Sequence, residues 1–138
     1  MTKDRFFLDA NVLFTAAYRD GAGLLRLWEL EGVELVSSIY LLEEARRNLR
    51  HHRPDRLPIL ETLLEQVRVT NAVPVGLPLP VELHEKDRPV LLAALALGAT
   101  HLLTGDKKHF GAFFGRTVGG VLVLLPAAYL SGDPPRAI

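Results

Sequence analysis

Two short apolar runs, each ending in an aspartate, constrain the fold of this chain more than any other feature. Phe6-Phe7-Leu8 leads directly into Asp9, and Leu102-Leu103-Thr104-Gly105 leads into Asp106. A strand that is apolar at successive positions has no solvent face, so both sides must be covered. Comparable runs at 33–36, 67–73 and 121–124 alternate with helical patterns at 11–18, 22–30, 39–52, 57–67, 90–97 and 107–114. That alternation predicts an α/β fold of three layers, α/β/α, around a central parallel sheet of about five strands.

The punctuation between these runs agrees with the pattern. Asp20-Gly21 is a turn signal, Ser37 or Ser38 is placed to cap the helix at 39–52, and Pro54 stops or bends it. Three prolines and a glycine make 74–80 a loop, and Gly98 closes the helix at 90–97. No repeat or linker divides the 138 residues, so one domain over 1–138 is expected.

Composition removes several classes of function. The chain has no cysteine, which excludes a disulfide scaffold and thiolate metal sites. Its first residues are charged and lead into no apolar run long enough for a signal peptide. The richest apolar stretch, 89–103, falls short of the ~20 residues a membrane helix needs, and His101 interrupts it. A cytoplasmic protein without a membrane span is the expectation. Net charge is zero, yet Arg46, Arg47, Arg50, Arg53 and Arg56 cluster with His51 and His52 against Asp55 alone. Such a cluster is either a solvated helix end or a track for a phosphate backbone.

In open parallel sheets, ligands bind beyond the carboxyl ends of the strands. Asp9 and Asp106 fall there, and Asp87, at the start of the helix at 90–97, should point to the same edge. Each has a plain structural reading as a helix cap. Together they would repel one another unless a cation or protons compensated. The fourth acid is Glu43 or Glu44. Glu43 has Arg47 four residues on, a helical ion pair, whereas Glu44 has Asn48 there, and Glu44 is preferred. Carboxylate oxygens suit Mg²⁺ or Mn²⁺. His51, His52, His84, His101 and His109 show no zinc-ligand spacing and are assigned buried or surface roles.

The sequence Phe7-Leu8-Asp9-Ala10-Asn11-Val12-Leu13 resembles the opening motif of PIN-domain ribonucleases, a family that includes the VapC-type toxins. The stretch 38–49 around Glu44 resembles that family's second motif. The stretch 87–97, with Leu103-Thr104-Gly105-Asp106, is similar to the third and fourth, and 121–130 to its usual ending. The resemblance implies a PIN-like fold, acidic metal ligands at Asp9, Glu44, Asp87 and Asp106, and Asn11 and Thr104 as orienting polar neighbours. It also implies a Mg²⁺- or Mn²⁺-dependent endoribonuclease that leaves 5′-phosphate ends, with RNA as substrate and, if the chain is a toxin, an antitoxin partner. Many relatives carry a further acid soon after the fourth motif, where this chain has Lys107, Lys108 and His109. The apolar segment 24–30 suggests a homodimer surface or a core role. Two other readings stand beside the nuclease: a non-catalytic RNA- or partner-binding module, and a phosphotransfer domain built on aspartate. Asn11, where a haloacid-dehalogenase-type enzyme has a second aspartate, weighs against the last.

Overall fold

The computed structural model describes residues 3–71, 79 and 81–131. Six strands form one sheet: β1 (Asp4–Leu8), β2 (Val33–Ser38), β3 (Val67–Thr70), β4 (His101–Leu103), β5 (Thr117–Val118) and β6 (Val121–Leu124). Their order is β3-β2-β1-β4-β6-β5. Every neighbouring pair is parallel except β5 and β6. The α/β fold with a mostly parallel central sheet is therefore present, with one strand more than expected.

The helices are α1 (Ala10–Tyr18), α2 (Ile39–His52), α3 (Leu57–Leu64), α4 (Arg88–Ala96), α5 (Lys107–Phe110) and α6 (Pro126–Leu130). Helices α1, α2 and α3 pack against one another. From β1 to β3 the chain steps outward in one direction, and at β4 it crosses back to the other side of β1. Right-handed crossovers then put the helices of the two halves on opposite faces of the sheet. Phe6, Phe7, Leu8, Leu102 and Leu103 are fully buried, as strands covered on both faces require.

Local chemistry explains the helix ends. Ser38 caps α2, its hydroxyl accepting from the Leu41 N–H at 3.3 Å. Ser37, the other candidate cap, instead donates to the Leu8 carbonyl at 2.9 Å and links β2 to β1. Helix α4 ends at Gly98, whose φ of +66° permits the bonds Gly98 N–H to Leu95 O and Ala99 N–H to Ala94 O. The Arg5 guanidinium donates to the Leu97 carbonyl at 2.6 Å and pairs with Glu34 at 2.7 Å, tying that helix end to β1 and β2.

Three expectations change in detail. The segment at 22–30 is a 3₁₀ helix, Gly23–Glu29, rather than an α-helix. Leu27 is buried, Leu24, Trp28 and Leu30 pack on the chain's own core, and Trp28 Nε1 donates to the Leu63 carbonyl at 3.0 Å. The core role thus accounts for these apolar residues. The helix at 107–114 breaks after Phe110 into a 3₁₀ turn, Gly111–Phe113. The strand at 67–73 is seen as Val67–Thr70, and the loop at 74–80 lies outside the described residues, Leu79 apart. Among the described residues no helix is long and apolar enough to cross a membrane.

The sixth strand comes from a hairpin. Gly119 and Gly120, with φ of +58° and +89°, join β5 to β6 in a two-residue turn that needs positive φ at both positions. A Cβ on Gly119 would also come within 2.7 Å of Leu95 Cδ2, whereas Gly120 faces open space. Gly120→Ala should cost about 1–2 kcal/mol from the left-handed backbone alone. Gly119→Ala should cost more, because Leu95 must also move. Urea unfolding of both variants checks this, and equal losses would mean that Leu95 shifts freely.

Candidate functional site

The strand order reverses direction between β1 and β4, and the crevice beyond the carboxyl ends of two such strands is the usual ligand position in this kind of sheet. Asp9 follows β1 and Asp106 follows β4. The Asp9 N–H donates to the Leu103 carbonyl at 3.1 Å, so the parallel pairing continues one residue beyond β1.

Thr104, fully buried, organises this edge. Its hydroxyl donates to Asp9 Oδ2 at 2.7 Å and accepts from the Asp106 N–H at 3.0 Å. Asn11 bridges the same two strand ends. Its Oδ1 accepts from the Gly105 N–H at 2.8 Å, and its Nδ2 donates to Asp9 Oδ2 at 3.3 Å. A Cβ on residue 105 would lie 3.3 Å from Asn11 Oδ1, so glycine leaves room for this bridge. Asp9 Oδ1 accepts from the Ala10 N–H at 2.8 Å and caps α1.

The acids come together from four separate elements. Asp9, Glu44, Asp87 and Asp106 line one cleft of about 80 Å³, together with Asn11, Lys86 and His109 and walled by Tyr40, Leu41 and Val90. Glu44 projects into it from α2. Glu43 lies outside and pairs with Arg46 at 3.4 Å, not with the Arg47 that its spacing suggested. Larger concavities lie elsewhere. The one of about 420 Å³ at the amino ends of β2 and β3 holds Glu34, whose carboxylate is already paired with Arg5 and Arg68.

Electrostatics in the cleft is dominated by burial. Asp9 is 6% exposed, and desolvation pushes its pKa up to about 6, with the charges of Glu44 and Asp106 adding to the rise. The hydrogen bonds from Thr104 and Ala10 pull the other way without overcoming it. Asp87 is 7% exposed and raised for the same first cause, desolvation. His109, His84 and Lys86 counter the shift, while the charge of Asp106 adds to it. Unlike Asp9 and Asp106, Asp87 makes no cap bond with its side chain. Its Oδ2 lies 2.9 Å from His109 Nδ1 but makes no well-directed hydrogen bond, and it is the one buried side-chain polar atom among the described residues without a partner. Hard oxygen donors, mutual repulsion and an orphaned buried oxygen together fit a divalent cation such as Mg²⁺ or Mn²⁺.

His109, assigned a plain buried or surface role on spacing alone, instead sits among the acids, its Nδ1 3.0 Å from Asp106 Oδ2. Its position three residues after Asp106, on one face of α5, was the available signal. Lys86 and Tyr40 were also unforeseen, although Tyr40 stands four residues before Glu44 on α2. The arginine cluster is largely neutralised locally. Arg46 makes a two-pronged pair with Glu61 at 2.7 and 2.9 Å, Arg53 pairs with Asp55 at 2.9 Å and lies over the Tyr18 ring, and Arg56 binds Asp20 and the Ala17 carbonyl. Arg47 and Arg50 remain exposed, with no acidic partner among the described residues.

The raised pKa of Asp9 has a consequence for stability. An acid whose folded pKa lies above its unfolded value favours the fold at low pH. That contribution is lost as pH rises from about 4 to about 6, up to roughly 3 kcal/mol. In EDTA at pH 7.5, Asp9→Asn should therefore raise stability by about 1–2 kcal/mol, after allowing for weakened hydrogen bonds. At pH 4 the gain should vanish. Thermal melts at the two pH values check this, and a variant less stable than its parent at pH 7.5 would show that the hydrogen bonds outweigh burial.

Comparison with curated proteins gives no match. The PIN domain family, in contrast, matches residues 5–108, which take in β1 through the start of α5 and all four acids of the cleft. With that match covering most of its length, the chain belongs to the PIN-domain family, whose members are generally nucleases.

Proposed function

We propose that the chain is a Mg²⁺- or Mn²⁺-dependent endoribonuclease, with Asp9, Glu44, Asp87 and Asp106 as its acidic site. The observation that carries this reading is the convergence of four carboxylates from four elements, with the buried Asp87 Oδ2 left without a partner. Such a set works against stability, because Asp9 and Asp87 are desolvated in it. Membership of a family of nucleases supplies the reaction class.

Each side chain then has a task that follows from its surroundings. Asp9 and Asp106, fixed by Thr104 and by the backbone, are the rigid pair that would hold the ion directly. Asp87, just before α4, and Glu44, on α2, would hold it from the other sides of the cleft or act through a water. An ion held there would lower the pKa of a water and offset the negative charge of a phosphate. Thr104 and Asn11 keep Asp9 Oδ2 oriented, as supporting groups at metal sites commonly do. Asp9 must lose its proton before it can serve as a ligand, so ion binding should weaken below about pH 6. Lys86 at the cleft and exposed Arg47 and Arg50 beyond it are the cations placed to meet the RNA backbone. An antitoxin is the partner that the VapC resemblance implies, a homodimer is the expectation of the apolar segment 24–30, and a cytoplasmic location is the expectation of the composition.

Incubation of total cellular RNA with the protein and Mg²⁺ or Mn²⁺ tests the reading. Internal cuts with 5′-phosphate ends are expected, abolished by EDTA and reduced at least about a hundredfold in Asp106→Asn. Absence of cleavage by folded protein with either ion would favour the non-catalytic binding module.

A further inference from the structure

His109 occupies the gap between two of the acids, Asp87 and Asp106. Its Nδ1 lies 2.9 Å from Asp87 Oδ2 and 3.0 Å from Asp106 Oδ2. One ring nitrogen carries at most one proton, and that proton cannot be directed well at two carboxylates. The geometry serves Asp106 and leaves Asp87 Oδ2 buried and orphaned. A hydrogen-bond role thus accounts for one acid of the pair and not the other.

A shared cation would account for both. These three side chains offer one nitrogen and two oxygens, all within 4.8 Å of one another. Octahedral coordination at about 2.1 Å separates adjacent donors by about 3 Å, the spacing of Nδ1 from either oxygen. The ring is also held in place. It stacks on His84 with centroids 5.0 Å apart and planes 18° from parallel, and His84 uses its own Nδ1 to accept from the Lys86 N–H. A side chain held this way loses little entropy on binding an ion.

We propose that His109 is a metal ligand, its Nδ1 joining Asp87 and Asp106 in a mixed nitrogen and oxygen set that selects Mn²⁺ or a later first-row ion over Mg²⁺. The inference rests on the metal-dependent reading of the acidic cleft and adds a ligand that the four-acid set lacks. Imidazole binds transition ions well and Mg²⁺ poorly, so adding this nitrogen to the carboxylates shifts preference along the first row.

Pulsed electron paramagnetic resonance of the full, untagged chain with substoichiometric Mn²⁺ reads the ligand directly. Nitrogen-14 modulation from a coordinated imidazole is expected in the parent, retained in His84→Phe and lost in His109→Asn. In calorimetry, His109→Asp should lower the ratio of Mn²⁺ to Mg²⁺ affinity by at least about tenfold. Bound Mn²⁺ without nitrogen modulation, or modulation that survives in His109→Asn, would overturn this inference alone. A parent protein that binds no Mn²⁺ would overturn it together with the metal-dependent reading on which it rests.

Discussion

The hydrogen bond from the Thr104 hydroxyl to Asp9 Oδ2 joins positions 95 residues apart and sets the geometry of everything around it. Thr104 has no solvent to turn to, and its oxygen also receives the Asp106 N–H. One buried hydroxyl therefore fixes a side chain after β1 and the backbone after β4. Asn11 doubles the connection through Gly105. Because β1 and β4 are the two strands between which the chain changes direction, the sheet opens a crevice at this point, and these bonds keep two aspartates at its floor.

The arrangement works against the stability of the fold. Asp9 and Asp87 are buried carboxylates with pKa values raised by desolvation, and among the described residues neither forms an ion pair with a lysine or arginine. A core chosen for stability alone would replace them. Elsewhere several of the chain's charges are paired: Arg5 and Arg68 with Glu34, Arg46 with Glu61 and Glu43, Arg53 with Asp55, Arg56 with Asp20. Against these pairs, the cleft gathers four carboxylates, an imbalance of the kind that sites binding a cation show.

Much of this was legible in the residues because the strongest signals were local. Phe6-Phe7-Leu8 before Asp9 marked a buried strand and its carboxyl end, and the Ser38 cap and the glycine after α4 marked helix boundaries. Glu44 could be preferred to Glu43 by helical spacing, although Glu43 proved to pair with Arg46 rather than Arg47. The rest depended on contacts that spacing does not encode. The two-residue strand β5 is too short for periodicity, and only Gly119-Gly120 announced its hairpin. Gly23–Glu29 winds as 3₁₀ while its apolar residues pack on the core, a choice between two helices of similar pattern. The arginines between 46 and 56 left two readings open, a solvated helix end or a phosphate track, because Glu61 and Asp20, which neutralise two of them, are distant in sequence. His109 was hidden for the same reason: Asp87, its second neighbour, lies 22 positions earlier on a different element.

The central claim is that the carboxylates are held together for a divalent ion, which must displace a proton from Asp9 to bind near pH 6. Calorimetric titration of the metal-free protein with Mn²⁺, in buffers of different ionisation enthalpy, measures that proton. The account predicts saturable binding with release of about half a proton or more at pH 6 and close to none at pH 8. Binding with the same proton count at both pH values, or no binding at either, would contradict it.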